Sequence, residues 1–447
     1  MKRYPVYKDS GIDWLGEIPE HWQQSSIRGV TKSVAQRNRS DLPLLAVYRD
    51  YGVIYRDSRD DNHNRVPEDL SNYKVVKPGN LVLNKMKTWQ GSLGVSEFEG
   101  IVSPAYIICE VSTHVHSRFI HYLLRCYRYI FIYNKISYGV RVEQWDMHYE
   151  DFKQIPIFLP SVEEQKAIAH FIDRKLEEID HFIRNKQRLI ELLNEQKTAI
   201  INRAVTKGIN PNAPMKHSGI EWLGEIPAHW EVIKISRIAK VVNGTTPDKN
   251  RLKYWKSGSI PWISSGKVND YIITQPTEKI TEAALKECSL RIMPAGSVVI
   301  GLVGQGKTRG KSARLAIDTC INQNLACIIP KLNLDSVFLH FVLIALYNPI
   351  RELARGGNQE ALNCQIIGEI RIPFPPISEQ QVIAAYIDMK SAEINISINQ
   401  IQKSIELIQE YRTTLISDAV TGKIDVRGFD NANDTANSPK PPELATM

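Results

Sequence analysis

Apolar residues recur at every seventh position along two long stretches of the chain, each running about 43 residues without proline or glycine. In the first stretch the two columns are Ile172, Ile179, Lys186, Leu193, Ile200 and Leu176, Ile183, Ile190, Lys197, Ala204. In the second they are Ile387, Ile394, Ile401, Ile408, Leu415 and Ser391, Ile398, Ile405, Arg412, Ala419. Such paired columns predict the a/d seam of a coiled coil. At 1.5 Å per residue each helix would reach ~65 Å, more than the width of a compact domain. Prolines bound both starts: Pro160 before a Ser161/Glu164 capping box, and Pro375–Pro376 before Ser378/Gln381. Lys186 and Lys197 interrupt the seam and are expected to set register or to reach past it to water.

Between these stretches the pattern changes to short apolar runs separated by turn residues. NLVLN (80–84), GIVSPAYIICEV (100–111), SVVIGLV (297–303) and LACIIP (325–330) predict strands. Arg118–Tyr129 and Ser336–Ala354 each predict one helix. The fold class expected is α+β, α/β-like, with a twisted sheet in each globular part.

The chain is also duplicated. YKDSGIDWLGEIPEHW (7–22) and MKHSGIEWLGEIPAHW (215–230) share twelve of sixteen residues at an offset of 208. FLPSVEEQKAIAHFID (158–173) aligns with PFPPISEQQVIAAYID (373–388), and RAVTKGI (203–209) with DAVTGKI (418–424), both at an offset of 215. The expected organisation is a first head (1–155), a long helix (156–208), a linker and second head (209–370), a second long helix (371–427) and a polar, Pro-rich tail (428–447) expected to be disordered. Helix one ends where head two begins, and helix two begins where head two ends. Seam-to-seam packing therefore makes the coil antiparallel, with two pseudo-symmetric heads. The same symmetry predicts that the N-terminal Trp motif lies near the end of helix two.

Composition narrows the function. The 447 residues are 43% hydrophobic and 23% charged, an ordinary globular balance. No run of apolar residues is long enough to span a membrane, and no secretory signal is visible at the N-terminus. Six scattered cysteines without a C-x-x-C pair read as reduced cytosolic thiols, which points to a cytoplasmic protein. A net charge of +7, from 56 Lys+Arg and 49 Asp+Glu, fits a polyanion partner.

Several motifs carry candidate chemistry. GLVGQGKT (Gly301–Thr308) matches the G-x-x-x-x-G-K-T phosphate loop, but RGKSARLAID follows, with Gly310 where a helix would have to start. The alternative is a basic loop presenting Lys307, Thr308, Arg309, Lys311 and Arg314, able to approach DNA closely. Lys85, Lys87, Trp89 and Gln90 form the matching cluster of the first head. Tyr138 and Arg141 lie in SYGVRVEQW, and Arg355, Asn358 and Gln359 in ARGGNQEAL. Arg, Asn and Gln can each pair twice with one purine edge. Trp14, Trp22, Trp222 and Trp230 are read as packing anchors that fix each head to the coil or to a partner subunit, and Pro104 in SPAY as a strand boundary. Nuclease, helicase and metal-site patterns are absent by inspection.

Taken together, SGI[DE]WLGEIP.HW at both heads, NKMKTWQGSLGV and SPAY in the first, YWKSGSIPWIS and GKTRGKSA…INQN in the second, and the proline-led EEQ and SEQ helix starts make the chain resemble the specificity (S) subunit of type I restriction–modification systems. The resemblance covers nearly the whole chain. It implies two target-recognition domains, each reading half of a split double-stranded DNA sequence. It implies two modification (M) subunits carrying S-adenosylmethionine chemistry, ATP-driven restriction (R) subunits with their Mg, and no cofactor and no catalysis on this chain. DNA contacts are then expected from Lys85, Lys87, Gln90, Tyr138, Arg141, Lys307, Thr308, Arg309, Lys311, Arg314, Asn358 and Gln359. The competing readings are a P-loop NTPase resting on Gly301–Thr308 and a coiled-coil scaffold whose heads bind protein only.

Overall fold

The computed structural model describes residues 2–429 apart from 60–64, 140–144, 305, 332 and 356–360. The chain divides into two compact units, residues 1–186 with 403 onward, and residues 187–402. The two expected helices form as single elements, Val162–Lys207 and Ile377–Val420. Each unit therefore contains one head and a stretch of both helices.

In the first unit the start of helix one (Ile168, Ile172, Ile179) shares a core with the end of helix two (Leu415, Ala419, Val420), so the helices run antiparallel there. Arg412 Nη1 donates to Asp180 Oδ1 across the pair at 2.7 Å. In the second unit the last turns of helix one (Ile201, Ala204, Val205) pack with the first turns of helix two (Ile383, Ala384, Ile387), again antiparallel. There Lys197 Nζ donates to Asn395 Oδ1 at 3.0 Å, the cross-helix role expected of a polar seam residue. Lys186 instead lies over the Phe182 ring of its own helix.

The helix starts differ from expectation. Ser161 Oγ accepts the Glu164 N–H at 3.3 Å, so the cap forms. The Glu164 carboxylate leaves the box and bonds the Trp motif instead. Helix two begins one residue before Ser378, which is inside its first turn. The Pro376 carbonyl accepts the N–H groups of Glu379 and Gln380. A buried glutamine ties each helix start to its own head. Gln165 Oε1 accepts the His116 N–H, and Gln380 Oε1 the Asp335 N–H, both at 2.8 Å.

Head one is built on a four-stranded antiparallel sheet in the order Thr31–Val34, Tyr106–Val111, Asn80–Asn84, Leu93–Val95. Head two repeats that order with Ala239–Asn243, Leu325–Pro330, Val298–Gly301, Ser312–Leu315, and adds the short strand Ile272–Ile273 beyond the last. The run 100–111 is two strands, Gly100–Val102 and Tyr106–Val111, parted by a turn at Pro104. Each expected single helix is two: Ser117–Arg125 and Tyr127–Ile136, then Ser336–Ala345 and Tyr347–Glu352. The break at Cys126 is extended (φ −71°, ψ 153°), which no helix can pass through.

Trp22 and Trp230 are buried in their unit cores, where truncation of so large a side chain costs about 3–5 kcal/mol. Trp14 packs edge-on against Tyr129, but Trp222 remains 41% exposed and is no anchor within this chain. The N-terminal motif sits at the end of helix two, as the repeat symmetry requires: Tyr7 Oη donates to the Gly422 carbonyl, and the Asp425 N–H to that of Lys2. Phe429, two residues into the expected tail, packs edge-on against Phe171. The tail beyond 429 lies outside the described residues. No described helix is long and apolar enough to cross a membrane.

Candidate nucleic-acid interface

Each head has a hairpin in the same position of its sheet, and the basic clusters are the hairpin loops. Asn80–Asn84 and Leu93–Val95 enclose Lys85, Lys87, Trp89 and Gln90. Val298–Gly301 and Ser312–Leu315 enclose Lys307, Thr308, Arg309 and Lys311. The sequence KMKTWQ and the sequence GQGKTRG thus occupy equivalent places.

That geometry overturns the phosphate-loop reading. The chain leaves the loop into a strand, where a phosphate loop would open a helix. Gly301 belongs to the ladder: its N–H donates to the Lys311 carbonyl, and its own carbonyl accepts the Gly310 N–H at 2.8 Å. A Cβ on Gly301 would lie 2.4 Å from the Thr308 carbonyl oxygen. The glycine there is required by the hairpin's own close approach, without a nucleotide.

A second segment lies beside each hairpin loop. In head one Tyr138 and Asp146 exchange backbone hydrogen bonds, and the Met147 N–H donates to the Lys85 carbonyl. Lys85 Nζ pairs with Asp146 at 2.9 Å, and Trp89 meets Trp145 edge-on at 5.1 Å. Tyr138 is 57% exposed and stacks on His148 at 4.6 Å. In head two Arg355 and Ala361 exchange the same pair of bonds, and the Leu362 N–H donates to the Leu302 carbonyl. Among the described residues, Tyr138 in head one and Arg355 in head two thus belong to a segment bonded to the foot of the hairpin loop. Arg141, Asn358 and Gln359 lie outside the described residues, within these second segments.

Lys87 and Lys307 are exposed, and no carboxylate pairs with either among the described residues. Lys311 stands at the foot of its loop and donates to Asn269 Oδ1 at 2.7 Å. Arg314 is not on the loop: it lies in the strand Ser312–Leu315, half-buried, with its N–H on the Tyr271 carbonyl.

Sequence reading missed several residues. Beside Gln90 opens a recess of about 600 Å³ that Arg125 helps to line. Arg125 spends its donors on the Leu93 and Arg49 carbonyls, and burial holds its pKa below the usual arginine range. In head two Tyr347 Oη donates to the Lys307 carbonyl at 3.0 Å, while Arg351 Nη1 donates to the Gly306 and Arg309 carbonyls, each at 2.9 Å. The i, i+4 spacing of Tyr347 and Arg351 places them on one helix face, but nothing local marks a loop 40 residues earlier as their partner.

The profile of the type I restriction modification DNA specificity domain matches residues 19–193 and again 227–407, and the chain belongs to that family. It is 24% identical over 444 residues to a Methanocaldococcus jannaschii protein provisionally named the MjaX type I restriction enzyme specificity subunit, covering 92% of this chain and 96% of that one. It is 28% identical over 296 residues to the EcoR124I/EcoR124II specificity subunit of Escherichia coli, covering 64% and 68%. Two solved structures share the fold. The HsdS subunit of Thermoanaerobacter tengcongensis aligns over 95% of this chain and all of its own, at TM-score 0.56 and 16% identity. A chain solved in work on complex assembly and conformational transition of the type I R-M system aligns over 91% and 99%, at TM-score 0.68 and 16% identity. Neither the NTPase nor the protein-only scaffold reading has support.

Proposed function

We propose that each head reads one half of a bipartite duplex DNA target through its hairpin loop and the segment beside it. The observation that carries this reading is the repeated frame: one strand order and one pair of adjoining loops in both heads, with unrelated loop residues. Lys85, Lys87, Gln90 and Tyr138 are the contacts of head one, with Arg141. Lys307, Thr308, Arg309 and Lys311 are those of head two, with Asn358 and Gln359. Arg314 acts from the strand behind the loop. Lysine and arginine place the backbone of the duplex, while glutamine, asparagine and arginine distinguish base edges.

In this reading the antiparallel helices set the distance between the half-targets and dock two modification subunits. Restriction subunits join that complex. The chain itself performs no chemistry; S-adenosylmethionine, ATP and Mg serve the partner subunits, and the complex works in the cytoplasm. The Gly301–Thr308 hairpin supports this division of labour, because its ladder leaves no phosphate cradle.

Exchange of residues 23–155 for the matching head of another such subunit tests the reading. Mapping of methylated sites should show one half of the target changed and the other retained. Alteration of both halves in an assembled complex would sink it.

A further inference from the structure

Three carbonyls of head two's hairpin loop are bonded by side chains of the helix Tyr347–Glu352. Arg351 Nη1 holds the carbonyls of Gly306 and Arg309, and Tyr347 Oη holds that of Lys307. The guanidinium is also 3.2 Å from Tyr347 Oη, so the two side chains brace one another. Gly310 has φ +79°, and a Cβ there would lie 3.0 Å from Arg351 Cγ, so the loop lies directly against the bracing side chain. A peptide carbonyl facing a phosphate repels it, whereas an N–H or an ammonium attracts it. Bonding three carbonyls to the helix keeps them from an approaching phosphate, beside the exposed Lys307 ammonium.

We propose that Arg351, assisted by Tyr347, is a positioning residue for DNA contact by the second head, acting through the 302–311 loop without itself touching the duplex. The proposal rests on the reading of that loop as a DNA contact and adds what shapes it. Arg351 is itself a cation, so the competing account is a direct phosphate contact. The two differ in salt dependence: a direct contact contributes about one unit to the slope of log K against log salt, and a bond made inside the protein contributes nothing.

The experiment uses the assembled complex with its modification subunits, measuring affinity for the target duplex across salt concentrations and mapping methylated sites. Arg351→Ala should weaken binding about tenfold, from the loss of two charge-assisted hydrogen bonds, with the salt slope unchanged. Methylation should relax at the second half-target only. Tyr347→Phe, which keeps the ring and removes one donor, should weaken binding about threefold with the same unchanged slope. Lys307→Ala, the comparison variant, should lower the slope by about one unit. A slope lowered by Arg351→Ala as much as by Lys307→Ala would make Arg351 a direct contact and overturn the proposal. So would unchanged affinity in both Arg351→Ala and Tyr347→Phe while Lys307→Ala still lowers the slope. If no variant changes affinity or slope, the loop is no DNA contact, and the function proposed for it fails as well.

Discussion

In head one the hairpin loop is held by apolar and edge contacts, an ion pair and a backbone hydrogen bond to the Lys85 carbonyl; in head two the side chains of a helix hydrogen-bond three of the loop's carbonyls. Gly91, at φ +92°, closes the first loop against Ile130, where a Cβ would stand 2.7 Å from Ile130 Cδ1. Trp89 on Trp145 and Lys85 on Asp146 complete that grip. Gly310, also in the left-handed region, closes the second loop against Arg351, which bonds two of the loop's carbonyls while Tyr347 bonds a third. The order of the four strands beneath is the same. A repeated frame therefore does not dictate how a loop is held: the strands fix where it starts and ends, and the adjacent helix supplies whatever chemistry the loop sequence can use.

The Trp motifs show the same divergence, and there the largest effect is expected. The buried Glu164 carboxylate accepts from Tyr4 Oη at 2.7 Å and Trp22 Nε1 at 3.1 Å, and its other oxygen lies 2.8 Å from His21 Nε2. Glu379, its repeat counterpart, meets only His229, and the buried Trp230 Nε1 has no hydrogen-bond partner among the described residues. Glu164→Ala leaves two buried donors unpaired and should destabilise the first unit by about 3 kcal/mol, at 1–3 kcal/mol per orphaned group. Glu379→Ala leaves only a half-exposed histidine and should cost about 1 kcal/mol or less. Midpoints of chemical denaturation of the full chain measure both. Equal losses would mean that the extra bonds in the first unit add nothing to stability.

A histidine under each hairpin, partly exposed in head one and fully buried in head two, provides the next test. His121 Nδ1 accepts the Val95 N–H, while His340 Nε2 lies 3.1 Å from the Ser312 carbonyl and donates to it. Burial, reinforced by Arg125 and Arg118, pushes His121 down to about 3; burial, reinforced by Arg314, pushes His340 down to about 4. A folded-state pKa below the unfolded value of about 6.5 means that the neutral form folds. Stability is then intact above about pH 6.5 and falls as protons bind the unfolded chain. At pH 5 each histidine should take away about 2 kcal/mol relative to pH 8. His340→Gln should flatten the pH dependence of the second unit by that amount and leave the contribution of His121 in place. An undiminished pH slope in the variant would place the titration elsewhere.

What was legible in the sequence was local. The seven-residue columns gave both helices, since each position repeats on one face of a single element. NLVLN and LACIIP became strands with their expected bounds. The basic clusters of both loops were visible because Lys and Arg crowd around turn residues. The rest depends on partners far away in the chain. Glu164 reads as half of a capping box until Trp22, 142 residues earlier, takes its carboxylate. GLVGQGKT reads as a phosphate loop until the strand after it is seen to pair with the strand before it. Tyr347 and Arg351 look like an ordinary surface pair on a helix.

The smallest expected effect separates the two loops themselves. Lys85 is paired with Asp146 before any DNA arrives, whereas Lys307 has no carboxylate partner among the described residues. A lysine already neutralised by a neighbour displaces fewer counterions when it meets a phosphate, because part of its charge is spent on the carboxylate. Lys307→Ala should lower the salt slope of duplex binding by about one unit, and Lys85→Ala by about half a unit or less. Asp146→Asn should act in the other direction. It releases Lys85 and removes a negative charge from the surface, and since such a partly exposed pair is worth about 0–1 kcal/mol, affinity should rise about two- to threefold. Salt titrations of the three variants in the assembled complex give the answer. Equal slopes for the two lysine variants, with no gain from Asp146→Asn, would mean that the Lys85–Asp146 pair opens without cost on binding and that the heads differ in shape but not in charge.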